Sequence, residues 1–321
     1  MTAVGFIGGL GRSGSTLLER IIAELPGVCA LGEVLHLWQR GVRDNELCAC
    51  QQPFRSCPFW QRVGEEAFGG WHNIDVDVVE RLHGQVDRMR YIPIDIVSGR
   101  LSARRAVANQ YADYFARVYA AAARVSGAGV VVDSSKNAST AFALRAHQDI
   151  QLKVLHVVRD SRGAAYSWTK QVARPEAANT DGEQWMERYS PTVSALLWDA
   201  HNLAFAALGR LGTPTRRVFY ERFLADPELG VARIADFLGV KSDAASGFLH
   251  GDTVQLRETH QVAGNPMRFR TGSLRLRQDD AWRREFPSSD VRLVTALTAP
   301  LMMRYGYALA AGPSPDDGVA G

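Results

Sequence analysis

No apolar stretch in the 321-residue chain reaches the roughly 18 residues that a membrane-crossing helix requires. The amino terminus runs directly into a glycine loop, with no basic n-region and no small-residue cleavage site. Neither a membrane span nor a secretory leader is expected, and the expected compartment is the cytoplasm. An excess of charge of one sign is also missing: 37 Lys and Arg against 34 Asp and Glu leave a net +3. That balance does not demand a nucleic-acid partner, although it is compatible with a polyanionic ligand. Internal repeats are absent. Cysteine is limited to Cys29, Cys48, Cys50 and Cys57. The last three, in CACQQPFRSC, offer three thiolates that could join His36 in a zinc set, but structural zinc motifs usually pair two C-x-x-C units and no second unit exists. A reduced or locally disulfide-bonded loop is the preferred reading, and no metal is assigned.

What remains is an ordinary globular composition, 46% hydrophobic and 22% charged, in a chain long enough to bury a substantial core. Strand and helix signals alternate, which implies an α/β fold with a mostly parallel sheet covered on both faces. Strands are expected at Val4 to Leu10, Val28 to Leu31, Val130 to Asp133, Leu152 to Val158 and Arg217 to Tyr220, each followed by a helical pattern. The first helix, Thr16 to Leu25, is closed by Pro26-Gly27. Residues 1–311 read as one domain. It carries a largely helical insertion near 36–129, with a turn-rich section at Gly69-Gly70 and a long helix near Ala106 to Arg124, and an insertion of that size suits acceptor contacts. Residues 312–321 read as a disordered tail.

Between the first strand and the first helix, Gly9-Leu10-Gly11-Arg12-Ser13-Gly14-Ser15-Thr16 fits the phosphate-loop frame G-x-x-x-x-G-K-[ST] everywhere except where Ser15 stands for Lys. A glycine turn at a helix start gathers backbone N–H groups and the positive end of the helix dipole, so it holds an anion without any side chain. Ser15 and Thr16 add hydroxyls, and Arg12 is the only nearby cation. With the lysine missing, the pattern suits a smaller anion than the β- and γ-phosphates of ATP. In HVVRDSRGAAYSWTKQ, Arg159 ends the fourth strand and Ser167 follows eight residues later, about two helical turns on. Both are then placed to face the crevice where α/β sheets bind nucleotides.

Together these stretches resemble the sulfotransferases that use 3′-phosphoadenosine 5′-phosphosulfate (PAPS). In that family a loop of the form [RK]-[SA]-G-[ST]-[ST] binds the 5′-phosphosulfate, here Arg12-Ser13-Gly14-Ser15-Thr16, with Gly11 preceding it. A strand-ending R-x-x-x-x-x-x-x-S binds the 3′-phosphate, here Arg159 and Ser167. Gly32-Glu33 is similar to the G-E of tyrosylprotein and bacterial carbohydrate sulfotransferases, where the glutamate is the proposed base. GNPMRFRTG, Gly264 to Gly272, looks like the loop that closes over the nucleotide. The resemblance implies a phosphate-loop-type three-layer fold, sulfuryl transfer to a hydroxyl of a small-molecule, glycan or lipid acceptor, 3′-phosphoadenosine 5′-phosphate as the product, and no required metal.

The chemistry assigns the roles. Sulfuryl transfer is in-line and loose like phosphoryl transfer, but the migrating group carries less negative charge, so positioning and fixed cations suffice. A cation about 4 Å from an oxyanion is worth roughly 4 kcal/mol at an effective dielectric near 20. Arg12 is one such cation and Lys136, in VVVDSSKNAS, the second, with Ser134 or Ser135 expected as a helix cap. Glu33 is the expected base, His36 its rival, and His156 a core histidine. Of the arginines Arg268, Arg270, Arg275, Arg277, Arg283 and Arg284, Arg268 or Arg270 is expected on the 3′-phosphate. The cluster lacks the aromatic interleaving of a single-strand binder, so no nucleic acid is expected. Two other readings stay open: an ATP-dependent kinase in which Asp133 would hold magnesium, and a non-catalytic nucleotide or polyanion module. Trp38, Trp60, Trp71, Trp168 and Trp198 offer either an acceptor pocket or core packing. Nothing in the sequence names the acceptor or an oligomeric state.

Overall fold

In the computed structural model the described residues are 1–97, 102–177, 185–241 and 247–310, so the tail from 312 lies outside them. Strand β1 (Thr2–Gly8) leads through the glycine loop into α1 (Ser15–Ile22) and β2 (Val28–Ala30). After a π-helical segment, Leu37–Arg43, come α2 (Pro58–Phe68), α3 (Val76–Val86), α4 (Ile92–Val97) and α5 (Ser102–Ser126). The sheet resumes with β3 (Val130–Lys136), α6 (Ala138–Leu144), β4 (Ile150–Val158) and α7 (Ser161–Thr169). Then follow α8 (Pro191–Arg210), β5 (Thr215–Phe219), α9 (Tyr220–Ala225) and α10 (Pro227–Leu238). A small antiparallel sheet, β6 (Leu249–His250), β7 (Thr253–Leu256) and β8 (Gly272–Arg275), precedes α11 (Trp282–Glu285) and α12 (Ser288–Tyr305).

The main sheet runs β2-β3-β1-β4-β5, all parallel. Apolar residues on both sides of the central strand explain its position. Phe6 and Val4 face a core shared with the insertion helices, and Ile7 faces a second core with α1 and α10. In the first core Trp38 meets Phe68, Tyr114 and Phe115 edge-on at 6.3, 5.6 and 5.9 Å. Truncating such a buried aromatic costs about 3–5 kcal/mol. Trp60 and Trp198 are likewise core. Among the described residues no helix is long and apolar enough to cross a membrane.

Several strand ends differ from the sequence expectation, and two of them shape the site. β1 stops at Gly8 instead of reaching Leu10, and β3 continues past Asp133 to Lys136. The register between them shifts, from Phe6 opposite Asp133 to Gly8 opposite Lys136. The Gly9 N–H then donates to the Lys136 carbonyl at 3.1 Å. Lys136 is therefore held at the carboxyl edge of the sheet beside the glycine loop, with a left-handed φ of 68°.

Candidate active site

At the carboxyl ends of β1, β3 and β4 lies a cleft of about 610 Å3. One wall is the glycine loop. Gly14 begins α1 with φ 89° and no side-chain cap, so the first helical N–H groups face the cleft unclaimed by a capping side chain. A Cβ on Gly14 would meet the Tyr220 ring at 2.4 Å, which fixes glycine there. Arg12 lies 5.4 Å from the Trp168 ring centroid, while its Nε and Nη2 are buried with no hydrogen-bond partner among the described residues. Buried guanidinium N–H groups left in this way are costly unless an anion takes them. Trp168 is itself fixed by donating to the Gly11 carbonyl at 2.8 Å and by stacking on Tyr189 at 4.3 Å.

The second wall joins the ends of β2 and β3. Gly32 has φ 82°, and a Cβ there would meet the Val262 carbonyl at 2.2 Å. Its N–H donates to Glu19 Oε1 at 2.8 Å, and the Ser134 hydroxyl donates to Glu19 Oε2 at 2.6 Å. Burial raises the Glu19 carboxyl to about 7 against those hydrogen bonds and Lys136. Ser135 and Tyr119 both donate to Asp133, which is fully buried and which burial likewise raises, to about 6. Ser134 and Ser135 are thus not helix caps: Asn137 precedes α6, and the serines tie β3 to Glu19, Asp133 and the Leu35 N–H. These buried polar links hold Glu33 in place.

Glu33 forms an ion pair with Lys136 and lies 3.6 Å from His36 Nε2. Burial acts to raise the Glu33 carboxyl, but Lys136, His36 and Arg40 outweigh it and hold the group at about 2. For His36 burial and Arg40 act together against Glu33, bringing the imidazole down to about 3. Its side chain keeps 37% exposure at the cleft edge.

At the far end Arg159, only 5% exposed, donates from Nη1 to the Arg12 carbonyl at 3.1 Å and from Nη2 to the Asp279 carbonyl at 2.8 Å. The Asp279 carboxylate lies 3.2 Å away, and Tyr220 covers the guanidinium face at 4.8 Å. Burial works to raise Asp279, but Arg159 and Lys170 together hold it below the usual carboxylate range.

One cleft therefore gathers Gly11, Arg12, Gly14, Ser15, Thr16, Glu33, His36, Lys136, Arg159 and Ser167. Ser13 is 1% exposed and is not on the wall. Arg268 and Arg270 do not reach the cleft. Arg268 is buried, donating to the Leu47 and Gln261 carbonyls at 3.0 and 3.3 Å and facing Glu176 at 3.8 Å. Arg270 is exposed, and its carbonyl accepts from Arg20. The carboxyl-terminal residue at Arg159 is instead Asp279, while Gly264 packs against Glu33. His156 is a core residue, 1% exposed and 2.8 Å from Asn202 Oδ1. Of the five tryptophans considered, only Trp168 lines the cleft. Arg40, Arg174, His201 and Tyr220 also line it and carry no local motif. Neither does Glu19, which acts from within the α1 pattern.

A profile described as the sulfotransferase family matches residues 6–244. No match was found among curated proteins. Among solved structures, the sulfotransferase domain from the Synechococcus PCC 7002 olefin synthase is 20% identical, with 97% of this chain and 96% of that chain covered at a TM-score of 0.50. The sulfotransferase domain from the curacin biosynthetic pathway is 14% identical, with 97% and 99% covered at a TM-score of 0.54. At these identities the structural likeness concerns the fold.

Proposed function

The chain belongs to the sulfotransferase family, and on that premise we propose that it transfers the sulfuryl group of PAPS to a hydroxyl of a small-molecule, glycan or lipid acceptor. The observation that carries this reading is the pair of buried Arg12 nitrogens, unpartnered among the described residues, at a lysine-free glycine loop, across one cleft from the Glu33–Lys136 ion pair. The loop N–H groups, Ser15, Thr16 and Arg12 would hold the 5′-phosphosulfate, and Arg159 with Ser167 the 3′-phosphate. The acceptor oxygen attacks sulfur in line, the bond from sulfur to the 5′-phosphate oxygen breaks, and the acceptor proton passes to Glu33. Lys136 exchanges Glu33 for the departing oxygen. That exchange removes the largest restraint on Glu33, so its basicity rises as the donor binds.

The kinase alternative fares worse on the geometry of Asp133, whose carboxylate is fully buried and engaged by Ser135 and Tyr119. Turnover of labelled PAPS that persists in EDTA, with no ATP turnover, is the expected result. In a thermal-shift titration 3′-phosphoadenosine 5′-phosphate should stabilise the protein by roughly 2.7 kcal/mol at a hundredfold excess over Kd, well beyond ADP. Equal shifts from the two nucleotides would remove the 3′-phosphate from the reading.

Arg159→Ala is expected to weaken bisphosphate binding by about 1.5–3 kcal/mol, the range for a hydrogen bond to a charged group. The loss should appear in KM for PAPS more than in kcat. A loss confined to kcat at saturating PAPS would move Arg159 from the remote phosphate to the reacting group.

A further inference from the structure

The insertion loop that carries three cysteines closes on a histidine from the far end of the chain. Cys48 and Cys57 are fully buried, and Cys50 and His260 are half-buried. One ligand atom from each of the four lies within 4.8 Å of every other. Cys50 Sγ and Cys57 Sγ are 3.6 Å apart, and Cys57 Sγ is 3.3 Å from His260 Nδ1. A tetrahedral zinc with bonds of about 2.3 Å to sulfur and about 2.0 Å to nitrogen sets its ligand atoms about 3.8 Å apart for sulfur pairs and about 3.5 Å for sulfur and nitrogen. A disulfide would instead need sulfurs about 2.05 Å apart.

The surroundings hold the two segments of the cluster together. The Trp60 indole donates to the His260 carbonyl at 2.7 Å, and Phe59 stacks on the imidazole at 5.1 Å and 9°. The Cys48 N–H donates to the Gln52 carbonyl at 2.9 Å, and the Ala49 N–H donates to the Gln261 carbonyl at 3.0 Å. Cys57 stands at the N-cap of α2, where the positive end of the helix favours a thiolate. The cluster is thus closed by two segments with no sequence proximity, since Cys57 and His260 are 203 residues apart.

We propose that Cys48, Cys50, Cys57 and His260 bind one zinc ion as a closed, structural site. The three cysteines bind as thiolates and release three protons, and His260 binds through Nδ1 with its proton on Nε2. His36, the fourth ligand considered from sequence, belongs to the cleft beside Glu33. The ion's position explains its use. Two residues beyond His260, Val262 bridges to Gly32 and accepts the Glu33 N–H at 3.2 Å. Gly264 then packs against Glu33. Zinc at this place staples the 48–57 loop to the strand-like segment that forms the Glu33 wall of the cleft. The inference stands apart from the choice of donor and acceptor.

The test uses the full chain purified without a metal-binding tag. Elemental analysis should give one zinc per chain, and no thiol other than Cys29 should react under native conditions with a reagent that does not strip metal. Cobalt reconstitution should give the ligand-field bands of a tetrahedral site with thiolate-to-metal charge transfer. His260→Ala should raise the rate of zinc loss to a chelator by at least about 10–100-fold, the range that even an outer-shell change brings. His260→Cys should retain the metal, and Cys29→Ser should leave it unchanged. Should His260→Ala fail to fold, the wild-type metal content and cobalt spectrum still decide. Metal-free protein with four titratable thiols, an intact mass two hydrogen atoms light from a disulfide, or an octahedral cobalt spectrum would each overturn the proposal.

Discussion

Glu33→Gln is expected to cut turnover by about 10²–10⁴-fold, the usual range for a positioned base, while bisphosphate binding becomes no weaker. The separation follows from geometry. Glu33 touches Lys136, His36 and the Gly264 segment, none of which belongs to the glycine loop or the Arg159 end. The glutamine keeps the shape and still places a carbonyl oxygen beside Lys136, but it cannot accept a proton. His36→Ala should stay within about tenfold of wild type, since burial brings that imidazole down to about 3 and an imidazole so weakly basic gains little from accepting the proton. Product mass and bisphosphate titration on both variants check this. A nearly normal Glu33→Gln beside a dead His36→Ala would make His36 the base.

The parts legible in the sequence are those written locally. The glycine loop is one continuous stretch, and its missing lysine is visible as a letter. Arg159 and Ser167 belong to one strand and the helix after it. The five buried strands of the main sheet are read from short apolar runs, although their ends move where the β1–β3 register shifts. What was not legible depends on segments that meet only after folding. Glu19 reads as an ordinary polar position of α1, yet its carboxylate joins Gly32 to Ser134. His260 carries no local motif, so the sequence alone offers His36 to the cysteine loop. The arginine run invited Arg268 as a phosphate ligand. A run of like charges says nothing about which members turn inward, and Arg268 is spent on two backbone carbonyls of neighbouring loops. Asp279, a residue of the charge-repelling sign, is the one that reaches Arg159.

Lys136→Met is expected to lower kcat by about 10²–10³-fold, the loss seen when one donor to a developing oxyanion is removed, and also to change the pH profile. Two forces act on Glu33 in opposite directions: burial raises its pKa, and Lys136 is the largest of the charges that lower it. With Lys136 present the carboxyl is held at about 2, so the ionised base is fully formed throughout the range in which the enzyme can be assayed. The profile of kcat/KM should then be flat on its acid side from about pH 5 upward. Without the lysine, burial loses its largest opponent, and the Glu33 pKa rises. With Glu33 as the proposed base, activity needs the ionised form, so the variant should lose kcat/KM as pH falls through that raised value, where wild type does not. Assays of kcat/KM for the donor in both proteins between about pH 4.5 and 8 read the difference directly, because that quantity reports the free enzyme in which Lys136 still holds Glu33. A variant with a flat acid side and kcat within a few-fold of wild type would reduce Lys136 to a partner that merely neutralises Glu33 in the resting cleft. A flat profile with a large loss of kcat would keep its role at the departing oxygen but remove its control of the base.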